Sequence, residues 1–295
     1  MAFEKQNLNY AKEYSQALAQ AYPYTLYFGA LWSAVKPDVK FLNNNTVILP
    51  SLSVKGRSNG DRDSIGTFSR NFNNAEETKV LKRHRTWDTL IHPRDIDETN
   101  HVASISNITK VMNEEQKFPE MDAEMITELY ALKNAIEAVT PDDVLTKFDA
   151  MMDKMDEARV PAAGRLLYAD TYTKTLIDTA KEAARNLSAT DTAVARSLDR
   201  IGEVEVIGVP TSAMKSAYTF KETDGFEVAA GAKDVKMLLV HPSAVIPVIA
   251  YDFAELGAPS SLSKGKWTYF EESFEDVFIF NKKHAGIQFY IEKSA

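Results

Sequence analysis

The chain has 295 residues, of which 44% are hydrophobic and 26% charged, a balance that fits a folded protein and excludes large-scale disorder. Its formal net charge of −8 argues against a surface built to grip nucleic acid, though not against enclosing it, and the lack of cysteine excludes disulfides and thiolate metal sites. No apolar run approaches the ~20 residues that cross a bilayer and the N-terminus lacks a signal-peptide core, so no membrane partner is expected and synthesis belongs in a cytoplasm.

The first thirty residues set Ala11, Tyr14, Leu18, Ala21 and Tyr22 on one helical face that Pro23 ends. Tyr24, Tyr27, Phe28, Leu31 and Trp32 follow, making an aromatic-rich arm best read as core packing. Residues 45–54, NTVILPSLSV, read as a strand whose Pro50 suits an edge or a bend. The next twelve, KGRSNGDRDSIG, hold three of the 12 glycines and read as an exposed loop tip. The polar stretch runs on through Phe68 and Phe72 to a basic strand expected over 78–93. A polar excursion of about 30 residues between two strand-like arms exceeds an ordinary connection and points to a functional loop.

Beyond Pro93 the period becomes helical. Val102, Ile105, Ile108, Val111 and Met112 define one amphipathic helix, which Phe118-Pro119 is expected to end or kink. Met125, Ile126, Leu129, Tyr130, Leu132 and Ile136 define a second helix of about 20 residues. From Thr140 the punctuation is clear: Thr140 caps a helix, Pro141 fits its first turn, and Asp142 and Asp143 favour its positive end. Val144, Leu145, Phe148, Met151, Met152 and Met155 share its apolar face, and Val160-Pro161 ends it. A loop through Gly164-Arg165, an apolar strand and a helix starting near Thr171 come next. After a polar stretch over 189–200, strands are expected at 203–209 and 234–242, and a helix over 243–256 despite Pro247. Three strands close the chain, KWTYFEES, EDVFIFN and GIQFYIEK, the last two joined by a turn over 282–285. The fold class expected is α+β.

The densest cluster of reactive residue types is His92, Asp95, Asp97 and His101, two imidazoles and two of three nearby carboxylates. A metal-dependent hydrolase is therefore one alternative reading. Yet Asp97 and Thr99 read as helix caps, and no glutamate–histidine pair has zincin spacing. Ser243 beside His241 shows no nucleophile elbow, and no phosphate-binding glycine pattern occurs. No catalytic, cofactor-binding or metal residue is expected.

In the order of its elements the chain resembles the major capsid proteins of tailed bacteriophages, which have the HK-97-like fold. The resemblance rests on WDTLIHPRDIDETN (87–100), KVMNEEQKFPEMDAEMITELYALK (110–133), DEARVPAAGRLLY (156–168) and FEDVFIFNKKHAGIQF (274–289), and it covers nearly the whole chain. It implies an N-terminal arm (1–44), an extended loop (45–92), a peripheral domain with a spine helix (93–139), an axial domain (140–231), and remaining strands of both domains (232–295). The implied function is a structural one, self-assembly as hexamers and pentamers into an icosahedral head around double-stranded DNA, held by non-specific contact. Assembly in the host bacterial cytoplasm with a separate scaffolding protein and a portal, and a final location in the virion, follow from the same resemblance. An encapsulin-like shell around protein cargo is the other alternative.

In that family the extended loop lies over a neighbouring subunit, and charge gives an independent reason to expect this. Residues 55–85 hold eight Lys or Arg against four acids, and residues 94–128 hold nine acids against three Lys or Arg. Arg57, Arg62, Lys79, Lys82, Arg83 and Arg85 are accordingly expected to meet Glu114, Glu115, Glu120 and Glu124 of an adjacent copy.

Overall fold

A computed structural model describes residues 24–33, 40–43, 46–57, 59, 70–98, 104–131, 136–139, 144–188, 200–201, 204–223 and 225–292. In chain order these form a short helix α1 (Gly29–Trp32) and strands β1 (Lys40–Asn43), β2 (Thr46–Val54), β3 (Phe72–Val80) and β4 (His84–Ile91). Helices α2 (Pro93–Glu98) and α3 (Ile105–Met112) follow, and a π turn over Asn113–Lys117 leads into α4 (Phe118–Ala131). Next come β5 (Ile136–Val139), α5 (Val144–Glu157), β6 (Leu166–Asp170) and α6 (Thr171–Ser188). The rest is mostly strand: β7 (Arg200–Ile201), β8 (Val204–Val209), β9 (Tyr218–Phe220), β10 (Phe226–Val228), β11 (Val235–Val240), β12 (Val245–Gly257), β13 (Trp267–Ile279) and β14 (Ile287–Glu292).

The centre is a six-stranded mixed sheet in the order β5-β14-β11-β6-β8-β7. Every residue of β6, LLYAD, is buried, because helices cover both faces of the sheet. Leu166 and Tyr168 point to one side, into a cluster with Met121, Met125 and Leu129 of α4 and Phe28 beside α1. Leu167 and Ala169 point to the other, against Phe148, Met151 and Met155 of α5 and Ile177 of α6. The methionine-rich face of α5 is thus core, as its spacing predicts.

The loop after α5 is held from inside. Arg165 is fully buried; its Nη2 lies 2.5 Å from Asp156 Oδ1 and donates to Val160 O at 2.6 Å, while Nε donates to Pro161 O at 3.0 Å. One guanidinium thereby satisfies carbonyls left open where the helix ends. Gly164 beside it has φ +84°, the left-handed region that glycine enters without strain. At the next boundary Asp170 caps α6, its Oδ1 accepting from Thr173 N at 2.8 Å.

Several expectations are corrected. Residues 245–257 are a strand, not a helix; β12 pairs with β13 along its length, and its β-branched residues suit that pairing. Pro247 is tolerated because β12 is an edge strand of the sheet β12-β13-β4. KWTYFEES and EDVFIFN are one continuous strand, β13, and β13 forms no hairpin with β14, which belongs to the central sheet. The basic strand expected over 78–93 breaks at 81–83, where β3 leaves β2 and β4 joins β13. Pro119 neither ends nor sharply divides the helix: in the π turn Phe118 N–H donates to Asn113 O, five residues back, and this wider turn accommodates a residue without an amide. Ile136 lies in β5, parallel to β14, not in the helix. Asp97 lies inside α2 and is not a cap. The helix expected from Ala11 to Tyr22, the cap at Thr140 with Pro141, Asp142 and Asp143, and the polar stretch 189–199 lie outside the described residues.

Candidate interaction surface

β2 and β3 form a hairpin in unbroken register, from Thr46 opposite Val80 to Val54 opposite Phe72. Its root is fixed: Val47 and Leu49 pack with Leu81, Ile246, Val248 and Phe278. Beyond Leu49 burial stops, and Leu52, Val54 and Phe72 are exposed. β1 pairs with β2 only up to Ile48, so Pro50 falls where no described strand needs its missing amide. The result is an arm of nine-residue strands, about 30 Å long, that exposes apolar side chains and ends near the exposed Lys55 and Arg57.

Below the hairpin, β4 runs beside α4. Arg83 Nε stands 3.1 Å from Glu124 and its Nη2 3.4 Å from Glu128, while its guanidinium lies over the Phe220 ring at 3.7 Å. Arg85 Nε is 2.5 Å from Glu120, and its Nη1 donates to Lys221 O at 2.8 Å. Burial pushes the Glu124 carboxyl well above the usual carboxylate range even though Arg83 draws it down. The link between β3 and β4 is held by Asp276, which accepts from Lys82 N at 3.0 Å and from Val277 N at 2.8 Å.

The acids expected to receive Arg83 and Arg85 from a neighbouring copy therefore receive them from the same chain. Alignment of β4 with the helix brings the opposite charges together within the fold. Of the other residues named for that contact, Arg57, Lys82 and Glu115 are exposed and Lys79 Nζ donates to Asn281 Oδ1 at 3.2 Å. Glu114 lies 3.8 Å from Lys110, and Arg62 falls outside the described residues.

Asp122 was no candidate in the sequence, yet it holds the arm to α4. Its carboxylate is 0% exposed and accepts from Tyr24 Oη at 3.0 Å, Tyr27 N at 2.9 Å and Phe28 N at 3.0 Å. Burial raises its pKa to about 6, against the pull of those three donors. The sequence offers little signal for it, since Asp122 stands between Glu120 and Glu124 as one acid of three.

The described members of the enzyme-like cluster make local contacts. His92 Nδ1 accepts from Arg94 N at 3.2 Å, Arg94 pairs with Glu98 at 3.1 Å, and Asp95 lies in the first turn of α2. Among the described residues, which exclude His101, no group of three His, Asp or Glu side chains is placed to hold a metal ion. Among the same residues no helix is long and apolar enough to cross a membrane.

No protein-family model and no curated protein matches the sequence. Solved structures do match, along almost the whole chain. A chain of the capsid of cyanophage P-SCSP1u superposes with a TM-score of 0.71 at 12% identity, covering 97% of this chain and 93% of that one. A chain of the mature capsid of bacteriophage PhiM1 gives a TM-score of 0.71 at 11% identity with the same coverages. One from the capsid of Ralstonia phage GP4 gives 0.62 at 8%, covering 97% and 95%. The chain has the HK-97-like capsid fold.

Proposed function

We propose that the chain is the major capsid protein of a tailed phage, self-assembling in many copies into an icosahedral head around double-stranded DNA. The observation that carries this reading is likeness to capsid chains over 97% of the sequence. The projecting hairpin supports it, since exposed Leu52, Val54 and Phe72 on a polar arm form a surface that a second subunit would cover. In this proposal 45–92 is the extended loop, 93–139 the peripheral domain with the spine helix, 140–231 the axial domain, and Arg57, Arg62, Lys79 and Lys82 reach the neighbouring copy. A separate scaffolding protein, a portal and packaged DNA are the partners, and the virion is the final location.

The test is expression of the full chain, alone and with the adjacent genes of its genome, followed by electron microscopy and analysis of particle content. Closed shells that take up double-stranded DNA are expected. Shells filled with a protein cargo would favour the encapsulin-like alternative, and a stable monomer under all conditions would reject both.

A further inference from the structure

A cavity of about 360 Å³ lies between β4, β13, the π turn and the residues Glu222, Thr223 and Gly225. Arg85, Trp87, Lys117, Glu120, Glu271 and Glu275 line it, and the exposed Glu222 and Thr223 stand at its rim. Its positive groups are already matched. Arg85 is paired with Glu120 and Lys117 with Glu271.

Glu275 is the exception. The residue is 5% exposed, and among the described residues no hydrogen bond or ion pair reaches its carboxylate. Such a group bears much of the cost of leaving water, offset just in part by the charge of Lys117, which is itself paired with Glu271. Its pKa is pushed up to about 6, chiefly by burial; Lys117 lowers it, while Glu120, Asp252 and Glu271 raise it. What the site lacks is one positive charge.

We propose that this cavity binds a guanidinium or primary ammonium group, with Glu275 as its principal acceptor, Glu222 as a second charge at the rim and Trp87 as an aromatic wall. Three observations select an organic cation. The volume is about ten times a water molecule's share of ~30 Å³, room for a side-chain-sized ligand. No described set of three carboxylates or imidazoles converges as a metal would need. Trp87 and Met112 add apolar wall of the kind that packs against a guanidinium or an alkylammonium stem. The proposal goes beyond assembly and does not depend on it: the same chemistry could be supplied by a free amine or by an arginine or lysine of a second copy.

Calorimetric titration of the unassembled full chain tests it, with agmatine as the free cation, a blocked peptide of residues 55–60 (KGRSNG) as the second copy's basic segment, and urea as a neutral control. Saturable one-to-one binding of agmatine or the peptide is expected, with none for urea. Glu275→Gln should weaken it at least tenfold without lowering the melting temperature, and Glu222→Gln, on the exposed rim, two- to threefold. Agmatine binding assigns the site to free cations, and peptide binding alone assigns it to a second copy. Absence of binding by both cations, or binding unchanged in both variants, overturns the proposal.

Discussion

Arg83 Nε lies 3.1 Å from Glu124 Oε1, and because that glutamate side chain is 2% exposed the pair belongs to the interior. It joins the strand that follows the hairpin to the helix that crosses the sheet. Removing one member of a buried pair leaves the other charge without compensation, typically a loss of about 3–5 kcal/mol. Arg83→Met is expected to destabilise by that amount in urea unfolding, and Arg83→Met combined with Glu124→Gln to recover part of it. A loss below about 1 kcal/mol would mark the pair as solvated.

Acid should stabilise the unassembled subunit over one particular window. Asp122 and Glu275 both have folded pKa values raised to about 6, from 3.8 and 4.5. Each then contributes stability that is fully present below its unfolded pKa and is lost as pH rises through about 6, because the folded chain holds the extra proton in between. Between pH 7 and pH 5 the gain is about 1 kcal/mol from each group. Urea midpoints measured at pH 5, 6 and 7 should fall with rising pH, and Asp122→Asn should make that slope shallower without abolishing it, since Glu275 and the buried Glu124 still contribute. A midpoint that rises from pH 5 to pH 7 would contradict the assignment.

Arg165 makes a separate point about shape. Its guanidinium serves Asp156, Val160 O and Pro161 O at once, a fork that a single ammonium cannot reproduce. Arg165→Lys and Arg165→Ala are both expected to cost about 3 kcal/mol or more, with the lysine variant recovering little. Arg159, at φ 60°, is the opposite case, and Arg159→Gly should be neutral or slightly stabilising. Thermal melts of the three variants decide both statements.

Order and period were legible wherever one principle acted alone. The apolar face of α5, the strand β6 and the start of α6 follow from helical spacing, a short buried run and turn residues. Reading failed where tertiary pairing decided the outcome. Val245 to Leu256 carries apolar residues that fit a helix nearly as well as a strand, and only the long partner β13 settles which forms. Pro119 breaks a helix in isolation, but the π turn just before it absorbs the missing amide. In the candidate interface, the complementary charge was visible in composition, whereas its closure within one chain depends on β4 lying against α4. Asp122 and Glu275 were invisible for the same reason: a lone acid gives no sign of whether it will be buried.

The division of the basic residues into two classes gives the sharpest test of the interface. Arg83 and Arg85 are paired inside the fold, whereas Arg57 and Lys82 are exposed and Lys79 meets, among the described residues, an uncharged partner, Asn281. Reversal to Glu at Arg83 and Arg85 would set new carboxylates against Glu120, Glu124 and Glu128, so a loss of folding is expected before any question of assembly arises. Reversal at Arg57, Lys79 and Lys82 removes no buried contact, and surface changes of this kind usually stay within about 0.5 kcal/mol per site. That triple variant should therefore melt near the parent temperature and yet form few or no closed particles by sedimentation and electron microscopy. Normal shells from it would remove these side chains from the interface; an unfolded product would move them into the same class as Arg83.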